Sequence, residues 1–222
     1  DGVLIQEPVY YPFGNSIRTQ KRQVISSPLV LRDGRYEIDF ADFERKAADP
    51  MCRAFVLSNP HNPVGRVYTR AELQRMGDIC LKHNVFVIAD EIHSDLIFPG
   101  HHHTVFASLG EAYAKNCAVC HAPSKTFNLA GLSFSCIMIP DETHRQRFDA
   151  MFNRYCRANP TFFAPVAAKA AWEHGEEWLK ECLAYIQGNE AFVRSFAEKT
   201  WGGKGVPPNN KAFMMTWEQY SR

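Results

Sequence analysis

Over the first two thirds of the chain, short runs of apolar and β-branched residues alternate with stretches whose apolar positions recur every three or four residues. That alternation predicts βαβ units arranged around a parallel sheet. Strands are expected at Val3 to Gln6, Val24 to Leu31, Ala54 to Ser58, Val85 to Ala89, Cys117 to His121 and Ser133 to Ile139. Asp33-Gly34 forms a turn between the second strand and a helical run from Phe40 to Ala48. A second helix begins at Thr69, because Thr69-Arg70-Ala71-Glu72 fits a capping box in which hydroxyl and carboxylate satisfy each other's free N–H groups. It runs to about His83-Asn84, and its stripe Leu73, Met76 and Cys80 is expected to pack on the sheet.

From Asp141 to Thr200 the pattern is helical, with interruptions at Asn159-Pro160 and near Pro165, until the Gly/Pro-rich run from Trp201 to Pro208 breaks it. The run Ala212 to Trp217 reads as a strand without sequence neighbours to pair with. We therefore expect a large domain over residues 1–177 and, over 178–222, a connecting helix and the start of a smaller α+β domain. The chain opens on Asp1-Gly2 rather than Met, and it reads as an excerpt from something longer.

Composition narrows the function. The 222 residues are 45% hydrophobic and 22% charged, the make-up of a globular protein with a real core. Lys and Arg number 25 against 24 Asp and Glu, so no global field draws the chain to nucleic acid or an anionic membrane. No apolar run has the length of a membrane helix. Seven cysteines, an odd number and widely scattered, do not make a secreted disulfide scaffold, so a cytoplasmic setting is expected. Cys117 and Cys120 spell C-x-x-C, but on a strand residues three apart point to opposite faces, which argues against a redox or zinc pair. His101-His102-His103 suggests a metal only weakly. The three are consecutive in a loop, without helical spacing or an evident acidic partner, so no metal is expected.

In open parallel sheets ligands sit beyond the carboxyl ends of the strands. Tyr10 follows the first strand, Asn62 the third, Asp90 the fourth and Lys125 the fifth. An aromatic, an amide, a carboxylate and an amine suit a pyridoxal 5'-phosphate (PLP) ring: the amine condenses with the aldehyde, and the carboxylate keeps the pyridine nitrogen protonated. Taken singly, Lys125 reads as a surface lysine and Asp90 as a turn residue. Their order and joint occurrence carry the inference.

Three segments, Ser58-Asn59-Pro60-His61-Asn62-Pro63-Val64-Gly65, Ala89-Asp90-Glu91-Ile92-His93-Ser94-Asp95 and Ala122-Pro123-Ser124-Lys125-Thr126-Phe127-Asn128-Leu129-Ala130-Gly131-Leu132, resemble the class I/II aminotransferase superfamily of fold type I. His93 and the run Phe127 to Gly131 are similar to the MalY/PatB group of bacterial cystathionine β-lyases. The resemblance covers the chain to about Glu177 and implies an α/β fold of the PLP-dependent transferase type, with a mixed, mostly parallel sheet flanked by helices. It implies Lys125 as the Schiff-base lysine, Asp90 as the pyridinium partner, and Asn62 as a contact of cofactor and substrate. It further implies His93 beside the ring oxygen, Tyr10 (or its neighbour Tyr11) stacked on the ring, and Ser124 near the phosphate.

Many relatives carry an arginine eight residues after the lysine; this chain has Ser133 there. No Gly-rich helix start precedes Tyr10, and no arginine after Trp217 matches a substrate clamp. Those parts are expected in flanking sequence. The resemblance also implies a homodimer acting on an amino acid. Carbon–sulfur β-elimination is the expected reaction, with transamination as the rival. A non-catalytic regulator on the same fold is the third reading; the presence of Lys125 argues against it, since a pure binder needs no Schiff base.

Overall fold

The computed structural model describes residues 1–155 and 161–202. Its centre is a six-stranded sheet in the order β2-β1-β5-β6-β7-β8. Strand β1 (Gly2–Ile5) leads through Tyr10 into helix α1 (Pro12–Thr19), which returns the chain to β2 (Gln23–Ser26). Pro12 opens α1, where its fixed φ and missing N–H carry no penalty. Strands β3 (Val30–Arg32) and β4 (Arg35–Glu37) make a separate antiparallel hairpin. Asp33 and Gly34 at its tip both have positive φ, 49° and 74°, as a tight two-residue hairpin turn requires.

The expected strand from Val24 to Leu31 is thus two strands. Pro28 lies between them, and a proline cannot donate to a sheet ladder.

Helix α2 (Phe40–Ala47) is capped by Asp39, whose carboxylate accepts from the N–H groups of Ala41 and Asp42. It leads to β5 (Cys52–Ser58), and then α3 (Arg70–Lys82) leads to β6 (Phe86–Asp90). The capping box of α3 forms as the sequence predicts, and Leu73, Met76 and Cys80 are fully buried. A 3-10 turn (Phe106–Leu109) and the short helix α4 (Glu111–Lys115) lead to β7 (Cys117–His121). Helix α5 (Pro123–Thr126) follows, then β8 (Cys136–Met138), the one antiparallel strand of the sheet. β8 is shorter than the expected Ser133 to Ile139, because Ser133 takes a left-handed conformation with φ 52° at the end of a 3-10 turn.

Helices α6 (Glu142–Tyr155), α7 (Ala164–His174) and α8 (Glu176–Trp201) complete the described chain. Pro165 sits in the first turn of α7, where it starts the helix rather than breaking one. Residue 177 falls within the first turn of α8. The Asn159-Pro160 interruption and the expected strand Ala212 to Trp217 lie outside the described residues.

The core fills the space between the sheet and α2, α3 and the Phe106 turn. Phe43 of α2 meets Phe55 of β5 edge to face, ring centroids 4.9 Å apart. From β1 the chain passes to β2 on one side, while β5 lies on the other. That reversal puts the topological switch point between β1 and β5, and the carboxyl edge beside it is the usual location of a ligand in such sheets.

Candidate active site

Each expected site residue lies at or just beyond the carboxyl edge of the parallel strands. Asp90 is the last residue of β6 and stands in register with Ser58 of β5 and Cys120 of β7. Its backbone carbonyl accepts from Asn59 N at 3.0 Å, and its Oδ1 accepts from Ile92 N at 3.2 Å. Burial pushes the Asp90 carboxyl above the usual range; the Ile92 N–H opposes that, the Glu91 carboxylate adds to it, and the Lys125 ammonium draws it back. A buried carboxylate in this state gains from any further cation brought against it.

His93 is buried one turn beyond Asp90, and burial, followed by the nearby Lys125 charge, lowers its pKa to about 4. At neutral pH it is an uncharged imidazole, able to donate one hydrogen bond and accept another. Lys125 is the third residue of α5, exposed, and close enough to act electrostatically on both Asp90 and His93. Ser124, half-buried, precedes it, and its carbonyl accepts from Leu129 N at 3.0 Å.

Beyond the carboxyl ends of β1 and β5 the two loops are joined by a hydrogen bond from Tyr10 N to the Asn62 carbonyl, 2.9 Å. Asn62 N in turn donates to Ser58 Oγ at 3.2 Å. The peptides Glu7-Pro8, Asn59-Pro60 and Asn62-Pro63 are all cis in this region. Tyr10 is 37% exposed and meets Phe13 edge to face, whereas Tyr11 is 60% exposed at the start of α1.

Two networks behind this edge were not legible in the sequence. In the first, buried Glu91 accepts from Phe106 N at 2.7 Å and from His103 Nε2 at 2.9 Å, while Asn59 Nδ2 lies 3.4 Å from His103 Nδ1. His103 thus has the acidic partner that the sequence did not reveal, while His101 and His102 are exposed. Among the described residues no group of His, Cys, Asp or Glu could hold a metal ion. In the second, Thr126 donates to Asp95 at 2.9 Å, and Asp95 faces His121. The only signal for it in the sequence was the presence of both residues in the segments around Asp90 and Lys125. Cys117 is buried and Cys120 half-buried, both as free thiols.

Residues 1–221 match the family model described as aminotransferase class I and II. The chain is 46% identical to cystathionine β-lyase PatB of Bacillus subtilis over 225 residues, covering 100% of this chain and 57% of that protein. Among solved structures, cystalysin from Treponema denticola, which contains a PLP cofactor, superposes with TM-score 0.87 at 40% identity, covering 89% of this chain and 50% of that one. The PLP-bound C-S lyase from Staphylococcus hominis gives TM-score 0.84 at 33% identity, covering 94% and 52%. The chain spans about half the length of these relatives. It belongs to the aminotransferase class I and II family.

Proposed function

We propose that the complete protein is a PLP-dependent carbon–sulfur β-lyase that cleaves cystathionine or cysteine by α,β-elimination, as a cytoplasmic homodimer serving sulfur amino acid metabolism. The observation that carries the choice of reaction is the 46% identity to a cystathionine β-lyase along the whole chain. The residues fit the cofactor. Asp90 is a buried carboxylate that gains from an added cation, as a pyridinium N–H would be, with the Lys125 amine beside it. Four of the matched solved structures hold PLP. Among the described residues no helix is long and apolar enough to cross a membrane.

PLP supplies an aldehyde to capture the substrate amine and a ring that takes up an electron pair from Cα. Asp90 would hold the ring nitrogen and keep it protonated. Neutral His93 would donate a hydrogen bond to the ring oxygen, Asn62 would contact the ring oxygen or the substrate carboxylate, and Tyr10 would stack on the ring. Ser124 would contact the phosphate. Lys125 Nζ would be the group that takes the Cα proton, and the leaving group at Cβ would be a thiolate. With water consumed, the products are pyruvate, ammonia and a thiol or sulfide.

Lys125 and Asp90 would serve transamination equally well, so the fate of the substrate is the test. Full-length protein given cystathionine or cysteine without a keto acid should release pyruvate. Product that forms only when a keto acid acceptor is added would make the protein an aminotransferase.

A further inference from the structure

Lys125 rides on α5, a helix of only four residues. A helix that short is not stable by itself, so its direction must be set by contacts outside it. Thr126, the next residue, is 1% exposed, and its Oγ1 donates to Asp95 Oδ2 at 2.9 Å. Asp95 closes the segment that carries Asp90 and His93. The same Asp95 oxygen lies 3.6 Å from Nε2 of His121, the last residue of β7 and four residues before Lys125. The other ring nitrogen of His121, Nδ1, is 3.2 Å from both Ser94 Oγ and the Glu91 carbonyl. The His121 ring stacks on Trp172 of α7 at 5.6 Å and 19°. The segment bearing Asp90 is therefore pinned to the turn bearing Lys125 on both sides of the lysine.

We infer that Thr126 and Asp95, backed by His121, form a clamp that positions Lys125 relative to Asp90. Thr126 and Asp95 are positioning residues: they act by fixing the root of the lysine stem, four rotatable bonds from its nitrogen. The inference rests on the reading of Lys125 as the cofactor-linked lysine.

The test uses full-length protein, PLP, and the variants Thr126→Val, Thr126→Ser and Asp95→Ala. Loss of the clamp should lower kcat about 10- to 100-fold, the scale of a misplacement near 1 Å, with KM changed less than about threefold. The rate at which apoprotein captures PLP covalently, followed by absorbance and by borohydride trapping, should fall in parallel. Thr126→Ser should restore both, since it keeps the hydroxyl and loses only a methyl group. Asp95→Ala, which removes the acceptor, should resemble Thr126→Val, which keeps the assignment testable should the valine variant fold poorly.

Unchanged kcat and capture rate in Thr126→Val or Asp95→Ala, with the label on Lys125, would overturn the clamp alone. Failure of Thr126→Ser to rescue would also overturn it, pointing to packing of the methyl. A label on another lysine in the parent protein would overturn the reading of the site, and the clamp with it.

Discussion

His61 shows how tightly the loops behind the site are specified at the level of single atoms. It is buried, with Nε2 at 3.0 Å from the Pro8 carbonyl and Nδ1 at 3.1 Å from the Tyr68 hydroxyl. A carbonyl can only accept, so the neutral ring carries its proton on Nε2 and accepts from Tyr68 through Nδ1. Burial, the largest cause, lowers its pKa to about 4 from an ordinary 6.5. Between those values protons bind the unfolded chain in preference to the folded one. Stability present above pH 6.5 is therefore lost as pH falls toward 4, by about 3 kcal/mol when titration is complete. Asp90, whose pKa is raised, contributes the opposite slope in the acid range above 3.8. Urea midpoints measured from pH 7 to pH 5 should fall in the parent protein and fall less in His61→Gln. Equal slopes would place the acid sensitivity elsewhere. Asp90→Ala addresses function at the same scale. The full-length variant should still bind some PLP yet lose most of its rate, because the carboxylate matters most when charge builds on the ring. Undiminished turnover would rule out the pairing with the ring nitrogen.

Among the elements, α3 has the start best defined by side chains. Thr69 Oγ1 accepts from Glu72 N, and Glu72 Oε2 accepts from Thr69 N at 2.8 Å. Glu72 also receives Arg66 Nη2, at 2.7 and 2.9 Å, and Arg66 Nη1 donates to the Tyr36 carbonyl of β4. One carboxylate thus caps the helix and neutralises a buried guanidinium that reaches the hairpin. Thr69→Ala should cost about 1 kcal/mol in urea denaturation, the ordinary value of a cap. Glu72→Ala should cost about 3 kcal/mol or more, because Arg66 is left buried without its counter-charge. Similar losses in the two variants would mean that the ion pair adds nothing to the cap.

The start of α3 was legible because Thr69 and Glu72 lie three residues apart and the apolar stripe continues behind them. Strands β5, β6 and β7 were legible as compact apolar runs, and the residues after them marked the site. Helix α1 was not, since eight residues with Phe13 and Ile17 as the main apolar pair give too short a period to read. Glu91 and His103, 12 residues apart, and Asp95 and Thr126, 31 apart, pair only through the tertiary fold. Local patterns cannot report contacts of that kind.

At the scale of the whole molecule, burial is uneven, and the unevenness bears on how the site is held. On the side of α2 and α3, Phe43, Phe55, Leu57, Leu73 and Met76 are fully buried behind β5 and β6, the strands that end in Ser58 and Asp90. Along α7 and α8, Val166, Tyr185 and Phe192 are exposed. A close-packed layer behind the sheet keeps the strand ends in register, since dense interiors resist small displacements. The exposed residues have few atoms around them to lose. Phe55→Ala should therefore destabilise the protein by about 3 to 5 kcal/mol, whereas Tyr185→Ala should stay within about 0.5 kcal/mol. Both are measurable by urea denaturation. If the sheet core holds the site in place, Phe55→Ala should also slow covalent capture of PLP by full-length protein at temperatures where it is still folded, and Tyr185→Ala should not. A large loss of stability from Tyr185→Ala would show that the α8 face is packed against protein outside the described residues.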